Sequence, residues 1–496
     1  MSVDQEGAPG FLMAALLITS VFFKSVELKP FLLPFSLQKS YDLFDRAEFY
    51  WTKTRNMKSK HGRTGRRRKE KSENGSSAAA VSKSHEDAYK QLCKWLKERG
   101  FQDDLLRPVE FPDTGRGLAT TRFIQPGELL ISLPVKCLLT TDTVLQSHLG
   151  EYIKSWSPPI SPLLALCVFL VTERHAEDRS LWKPYLALLP ETYTCPVYWE
   201  DEVLAFLPEP VKQKAVEQKA EVQEFYASSL PFFKALQPLF HEDIDDILTY
   251  DALRWAWCSV NTRTVYMKHT QKDCFSSQKD IYALAPFLDL LNHSPRVQVD
   301  AAFNAKSQCY EIRSNVGCKR YDQVFICYGP HDNQRLLLEY GFVAANNPHR
   351  SVYVTKEILL LFVPCKDKQL AKKLSLLDEH GFIENLTFGA DGPSWRLLTA
   401  AKLLCLGTEE FTYWKKVLLG AIVSESNESR ALQLVRKVCF HLLAETADIL
   451  KEISLFRRTN KTFVNHPSLV EALRLDEMKI LQTSADTLKN LHPVSP

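Results

Sequence analysis

The apolar residues of this 496-residue chain change their period three times between residues 108 and 350, and that limits the folds open to it. Within 108–141, in VEFPDTGRGLATTRFIQPGELLISLP, they fall in short alternating runs broken by Gly115, Gly117, Pro126 and Gly127. That is the pattern of strands joined by turns. From about 142 to 260 the spacing becomes helical: SPLLALCVFLVTERH is an apolar run, and VKQKAVEQKAEVQEFYASSLPFFKAL is amphipathic with mixed charge. Strand signals return at 300–345, in DAAFNAKSQCYEIRS, YDQVFICYG and EYGF. Beyond 350 the chain reads as helical again, most clearly in SRALQLVRKVCFHLLAETADILKEI. An α+β fold follows, in which strands far apart in sequence pair across a helical insertion and a helical module stands behind them.

Order is expected to begin with the helix in HEDAYKQLCKWLKERGF, where Leu92, Trp95 and Leu96 mark one face. Before it, residues 1–84 read as a disordered leader and basic linker. The leader contains the apolar stretch GFLMAALLITSVFF, too short to span a bilayer comfortably and preceded by Asp4 and Glu6 rather than by basic residues. Residues 53–71 hold ten Lys and Arg against one Glu. Their net +9 leaves −6 for the rest of a chain whose total is +3. A body of that charge does not suit sequence-specific binding to duplex DNA, so any attraction to nucleic acid or to acidic import receptors belongs to the basic run. The twelve cysteines form no C-x-x-C pair and no Cys/His cluster at zinc spacing, so reduced thiols and no metal are expected. A monomer without a membrane span, in nucleus and cytoplasm, is the corresponding expectation.

Three elements carry candidate chemistry, each weak alone. TGRGL (Thr114 to Leu118) lets the backbone approach a ligand, or is a β-turn in a meander. LDLLNHSP puts Asn292 and His293 directly behind an apolar run, with Asp289 one turn earlier and Arg263 upstream. A buried Asn-His pair is unfavourable unless its polar groups find partners, in protein or in ligand. VFICYGPHDNQRLLLEYGF carries Tyr328 after an apolar strand and Tyr340 twelve residues later.

In that order the three elements resemble the SET-domain protein methyltransferases, and DLLNHS with the insertion and the helical tail resembles the Rubisco large-subunit methyltransferase branch. The resemblance covers roughly residues 88–485. It implies a SET β-fold over 85–345, with the helical insertion at about 142–260. An all-helical substrate-binding domain over 346–496 would follow; Trp395 and Trp414 are either anchors for a protein substrate there or, the preferred reading, residues that fill its core. It also implies S-adenosylmethionine as cofactor. By resemblance, Thr114, Gly115 and Arg116 approach that cofactor with their backbone and Arg263 meets its carboxylate or shapes the pocket. Asn292 and His293 hold its amino-acid and adenine parts, and Asp289 stands behind the pocket or on the substrate side. Tyr328 is the key catalytic residue, touching cofactor and substrate, with Tyr310 and Tyr340 as aromatic walls of a substrate channel. The implied activity is protein-lysine N-methylation of a histone or another protein. Histidine methylation, or a silent fold serving as adaptor, stays open.

Overall fold

In the computed structural model, the described residues are 80–490 apart from 103, 364–366 and 461–464. The apolar leader and the basic run at 53–71 lie outside them. The ordered chain begins earlier than expected, because Val81–Ser82 (β1) pairs antiparallel with Leu106–Phe111 (β2). Between them, helix α1 (Asp87–Glu98) buries Tyr89, Leu92, Trp95 and Leu96 at helical spacing.

The other strands of the body are β3 (Gly115–Thr120), β4 (Leu129–Pro134), β5 (Thr264–Tyr266), β6 (Tyr282–Leu284), β7 (Asn292–His293), β8 (Val299–Asn304), β9 (Cys309–Ser314) and β10 (Gln323–Ile326). One sheet has the order β1-β2-β3-β10-β7, another β4-β9-β8, and β5 pairs with β6. Two crossovers matter for function. Antiparallel pairing sets Gln323 opposite Ala119 and Val324 opposite Leu118, joining segments about two hundred residues apart. Parallel pairing then sets Phe325 beside Asn292 and Ile326 beside His293. Helices fill the interval from Thr141 to Arg263, chiefly α2 (Pro162–His175), α3 (Glu209–Ala235) and α4 (Tyr250–Arg263). Ser161 caps α2 and Thr249 caps α4, each side chain accepting a backbone N–H of the first turn.

The EYGF tetrad is not a strand. Asp332 caps a helix, α5 (Asn333–Tyr340), by accepting from the Arg335 amide, and Gly341 closes it in the left-handed conformation. The capping signal and the Leu336-Leu337-Leu338 run outweigh the short β-like reading. The C-terminal region is helical as expected, with α6 (Trp395–Leu404), α7 (Glu425–Thr459) and α8 (His466–Asn490) packed on one core. To these it adds a small sheet of Ser351–Tyr353, Thr387–Gly389 and Gly392–Pro393. Trp395 is not a core residue: it opens α6 directly after the cap Ser394 and is 56% exposed, while Leu397, Ala400 and Ala401 face inward. Trp414 is half-buried against the core.

Body and tail meet through an apolar seam in which Leu337 and Leu338 of α5 pack with Trp199, Val211, Val470 and Leu473. A buried polar network lies beside it. Asn333 donates to Asp476 at 2.8 Å, Gln334 donates to Glu477 at 3.1 Å, and Arg474 donates to the Phe206 carbonyl at 2.9 Å. Each of these polar groups is matched, which a buried network requires. The helix that ends in Tyr340 is thereby anchored directly to the tail.

Candidate active site

The Gly-rich turn and the Asn-His pair, 176 residues apart, meet side by side. The Asn292 amide donates to the Arg116 carbonyl at 2.9 Å and to Gln323 Oε1 at 2.9 Å. Thr114 donates to the same Gln323 oxygen at 2.9 Å. Gly117 permits this approach: a Cβ there would lie 2.9 Å from Asn292 Nδ2, 3.0 Å from Gln323 Oε1 and 3.1 Å from Phe111. Gln323 is a hub that sequence reasoning missed, and no local signal marks a glutamine at the head of an apolar strand. The Arg116 side chain turns away and donates to the Leu188 carbonyl at 2.6 Å, leaving its backbone in the turn.

His293 accepts the Tyr328 amide on Nδ1 at 3.0 Å, so the neutral ring carries its proton on Nε2. That Nε2 is buried and has no partner. Burial, then the neighbouring His331 and His349, push its pKa down to about 4. Tyr328 donates its hydroxyl to the Leu291 carbonyl at 2.7 Å, and burial raises its pKa to about 12. Around it stand His293 at 5.1 Å between ring centroids, Tyr340 at 4.9 Å and Phe342 at 6.4 Å, with His331 lying over Tyr340 at 6.1 Å. Phe342 and His331 belong to segments read from the sequence but were assigned no role there. Tyr310, buried in β9, donates to the Tyr266 carbonyl at 3.4 Å. The alternation of its strand turns Tyr310 and Ile312 into the core of the body.

Arg263 and Asp289, given separate tasks by the sequence reading, are partners. Arg263 Nη1 donates to the Asp289 carbonyl at 3.1 Å and lies 3.9 Å from its carboxylate, which also accepts from the Tyr185 hydroxyl at 3.0 Å. Phe287, held at φ +74°, launches the turn over 288–290 that directs this carboxylate inward. Burial raises the Asp289 pKa against the pull of Arg263. Arg263 Nε stays buried and unpartnered, and its guanidinium is close enough to Tyr328 to act on it electrostatically.

Comparison with known proteins matches a SET domain model over residues 115–329, from the Gly-rich turn to the residue after Tyr328. A Rubisco LSMT substrate-binding model matches residues 364–481. The chain is 55% identical over 435 residues to SET domain-containing protein 4 of Homo sapiens, covering 88% of this chain and 99% of that protein. The chain belongs to the SET-domain methyltransferase family. At greater distance it is 28% identical to an actin-histidine N-methyltransferase of Canis lupus familiaris, over 80% of this chain and 68% of that one. Among solved structures, Rubisco LSMT bound to AdoMet superposes with a TM-score of 0.57 at 22% identity, covering 81% of this chain and 91% of that one. That likeness shows the fold.

SET methyltransferases take their methyl group from S-adenosylmethionine, and the residues present fit it. The unpartnered Nε2–H of His293 and the unpartnered Nε–H of Arg263 are buried donors of the kind a polar ligand satisfies, and Gly117 keeps the turn open beside Asn292. One pH effect follows from His293. The fold favours its neutral form, so the stability this contributes is complete above the ordinary pKa of 6.5 and is lost as pH falls toward 4. Chemical denaturation at pH 7 and pH 4.5 is expected to show a drop about 1–2 kcal/mol larger than in His293→Gln, after allowance for partial solvent screening. Equal drops would remove the buried neutral imidazole from the account.

Proposed function

We propose that this SET methyltransferase acts on lysine side chains of proteins, a histone among the candidates. The segment 85–345 would supply the chemistry and 346–496 would present the protein. The observation that carries the reading is the setting of Tyr328, a protonated phenol fixed to the Leu291 carbonyl between aromatic rings and next to the Asn292–His293 cradle. Thr114, Gly115, Arg116 and Asn292 would line the cofactor on the Gly-turn side, and His293 and Arg263 would offer it their free N–H groups.

When bound, the cofactor supplies an electrophilic methyl on a sulfonium, so the protein's task is to aim a neutral amine at it. Fixing two reactants in line can supply roughly 7–11 kcal/mol of a barrier. The Tyr328 proton is committed to Leu291, which leaves the phenol oxygen as an acceptor for an amine N–H. Tyr340 and Phe342 give flat apolar walls against which an aliphatic lysine stem packs. Asp289 is matched by Arg263, so it leaves no lone anion to hold an incoming ammonium in its charged form. Desolvation between the rings then lowers the amine pKa.

Transfer of labelled methyl from S-adenosylmethionine to histones and whole-cell extract, with the modified side chain identified by mass spectrometry, tests the reading. Methyl-lysine is the expected product. Methyl-histidine would move the chain to the second reading, which the actin-histidine relative favours. No transfer at all would support the adaptor.

A further inference from the structure

Two turns closed by the same backbone hydrogen bond lead into strands of the body, and they differ in what holds the left-handed place. In Gln125–Glu128, the Glu128 amide donates to the Gln125 carbonyl at 3.2 Å, and Gly127 takes the left-handed place at φ +82° before β4. In Lys319–Asp322, the Asp322 amide donates to the Lys319 carbonyl at 3.1 Å, and the left-handed place before β10 is held by Tyr321 at φ +71°. A bulky side chain is strained there where glycine is not. Burial does not compensate, because Tyr321 is 49% exposed. Strain retained at an exposed position points to use of the side chain.

The surroundings say what kind of use. The Arg107 and Arg320 guanidiniums lie over the Tyr321 ring, 4.7 and 4.5 Å from its centroid. Neither has a carboxylate within ion-pair distance among the described residues. Arg320 Nε donates to the Thr121 carbonyl at 2.8 Å, and Arg107 Nε is buried without a partner. The turns adjoin through the Ile124–Cys318 bridge, beside which Phe123 is exposed. Exposed aromatics with unpaired arginines have the composition of a protein interface centre. Guanidiniums already cover the tyrosine ring, so nucleic-acid bases lack a platform to stack on.

We propose that these paired turns dock an acidic segment of a partner protein. Its carboxylates take Arg107 and Arg320, which the Tyr321 ring holds in place, in bidentate fashion, and an apolar side chain beside them lies against Phe123. The surface stands at the opposite end of β10 from Tyr328, roughly 20 Å away at strand rise, so a docked segment leaves the ring cluster free. The inference holds whichever side chain accepts the methyl group.

Fluorescence anisotropy with the full chain tests it. The probe is a labelled twelve-residue peptide of Asp and Glu around a central Phe-Leu pair, set against its Asn/Gln counterpart and a single-stranded DNA 12-mer. The acidic peptide is expected to bind in preference to both. Arg320→Glu should weaken it about tenfold or more, as loss of a central interface arginine does. Tyr321→Asn, which tolerates the left-handed backbone, should weaken it while the melting temperature stays level or rises and S-adenosylmethionine binding is unchanged. The proposal is overturned if the acidic peptide does not bind, if the amide peptide binds equally, or if DNA binds more tightly. Tyr321→Asn lowering the melting temperature with peptide affinity intact would also overturn it, since the tyrosine would then serve only packing.

Discussion

Tyr328→Phe is expected to slow methyl transfer about a hundredfold or more while leaving S-adenosylmethionine affinity within about twofold, because misplacing a reactant by an ångström costs on the order of 10² in rate. The variant keeps the ring and so its contacts with His293 and Tyr340. It loses the hydroxyl that bonds Leu291 and, with it, the acceptor for the amine. Its backbone N–H still donates to His293, so the imidazole keeps its tautomer and the cofactor side of the pocket keeps its shape. Stability should fall by about 1 kcal/mol, the usual worth of one hydrogen bond. Single-turnover transfer and calorimetric cofactor titration separate the two effects. Wild-type turnover would take Tyr328 out of the chemistry, and equal losses of binding and rate would make it a cofactor ligand instead.

Arg263→Ala should produce the largest loss of stability, about 3–5 kcal/mol, because it strands a buried carboxylate. Asp289 is enclosed and already raised in pKa by burial, and Arg263 is the cation that faces it. Removing that cation raises the pKa further. A raised acid pKa contributes stability at low pH that is lost as pH rises, so the variant's deficit should be smaller at pH 5 than at pH 8. Asp289→Asn placed on Arg263→Ala should recover part of the loss, since no charge is then stranded. Urea denaturation of the two single variants and the double variant measures the coupling. A deficit below about 1 kcal/mol, with no pH dependence, would mean that Asp289 does not depend on Arg263.

The share of this molecule written in its sequence is the local share. The helical face of Leu92, Trp95 and Leu96, the strands around TGRGL and the β8–β9 pair follow from the spacing of side chains along one segment, and spacing is visible in one dimension. The order of the three motifs also carried the family. What tertiary structure alone decided is which distant groups meet. It joined Arg263 to Asp289, made Gln323 the link between Thr114 and Asn292, put Tyr340 at the end of a helix, buried Tyr310 in the body core and turned Trp395 to solvent. The physical reason is common to all five. Whether a polar or aromatic side chain is a ligand, a partner or a filler depends on the water and charges removed around it, and those are set by neighbours from elsewhere in the chain.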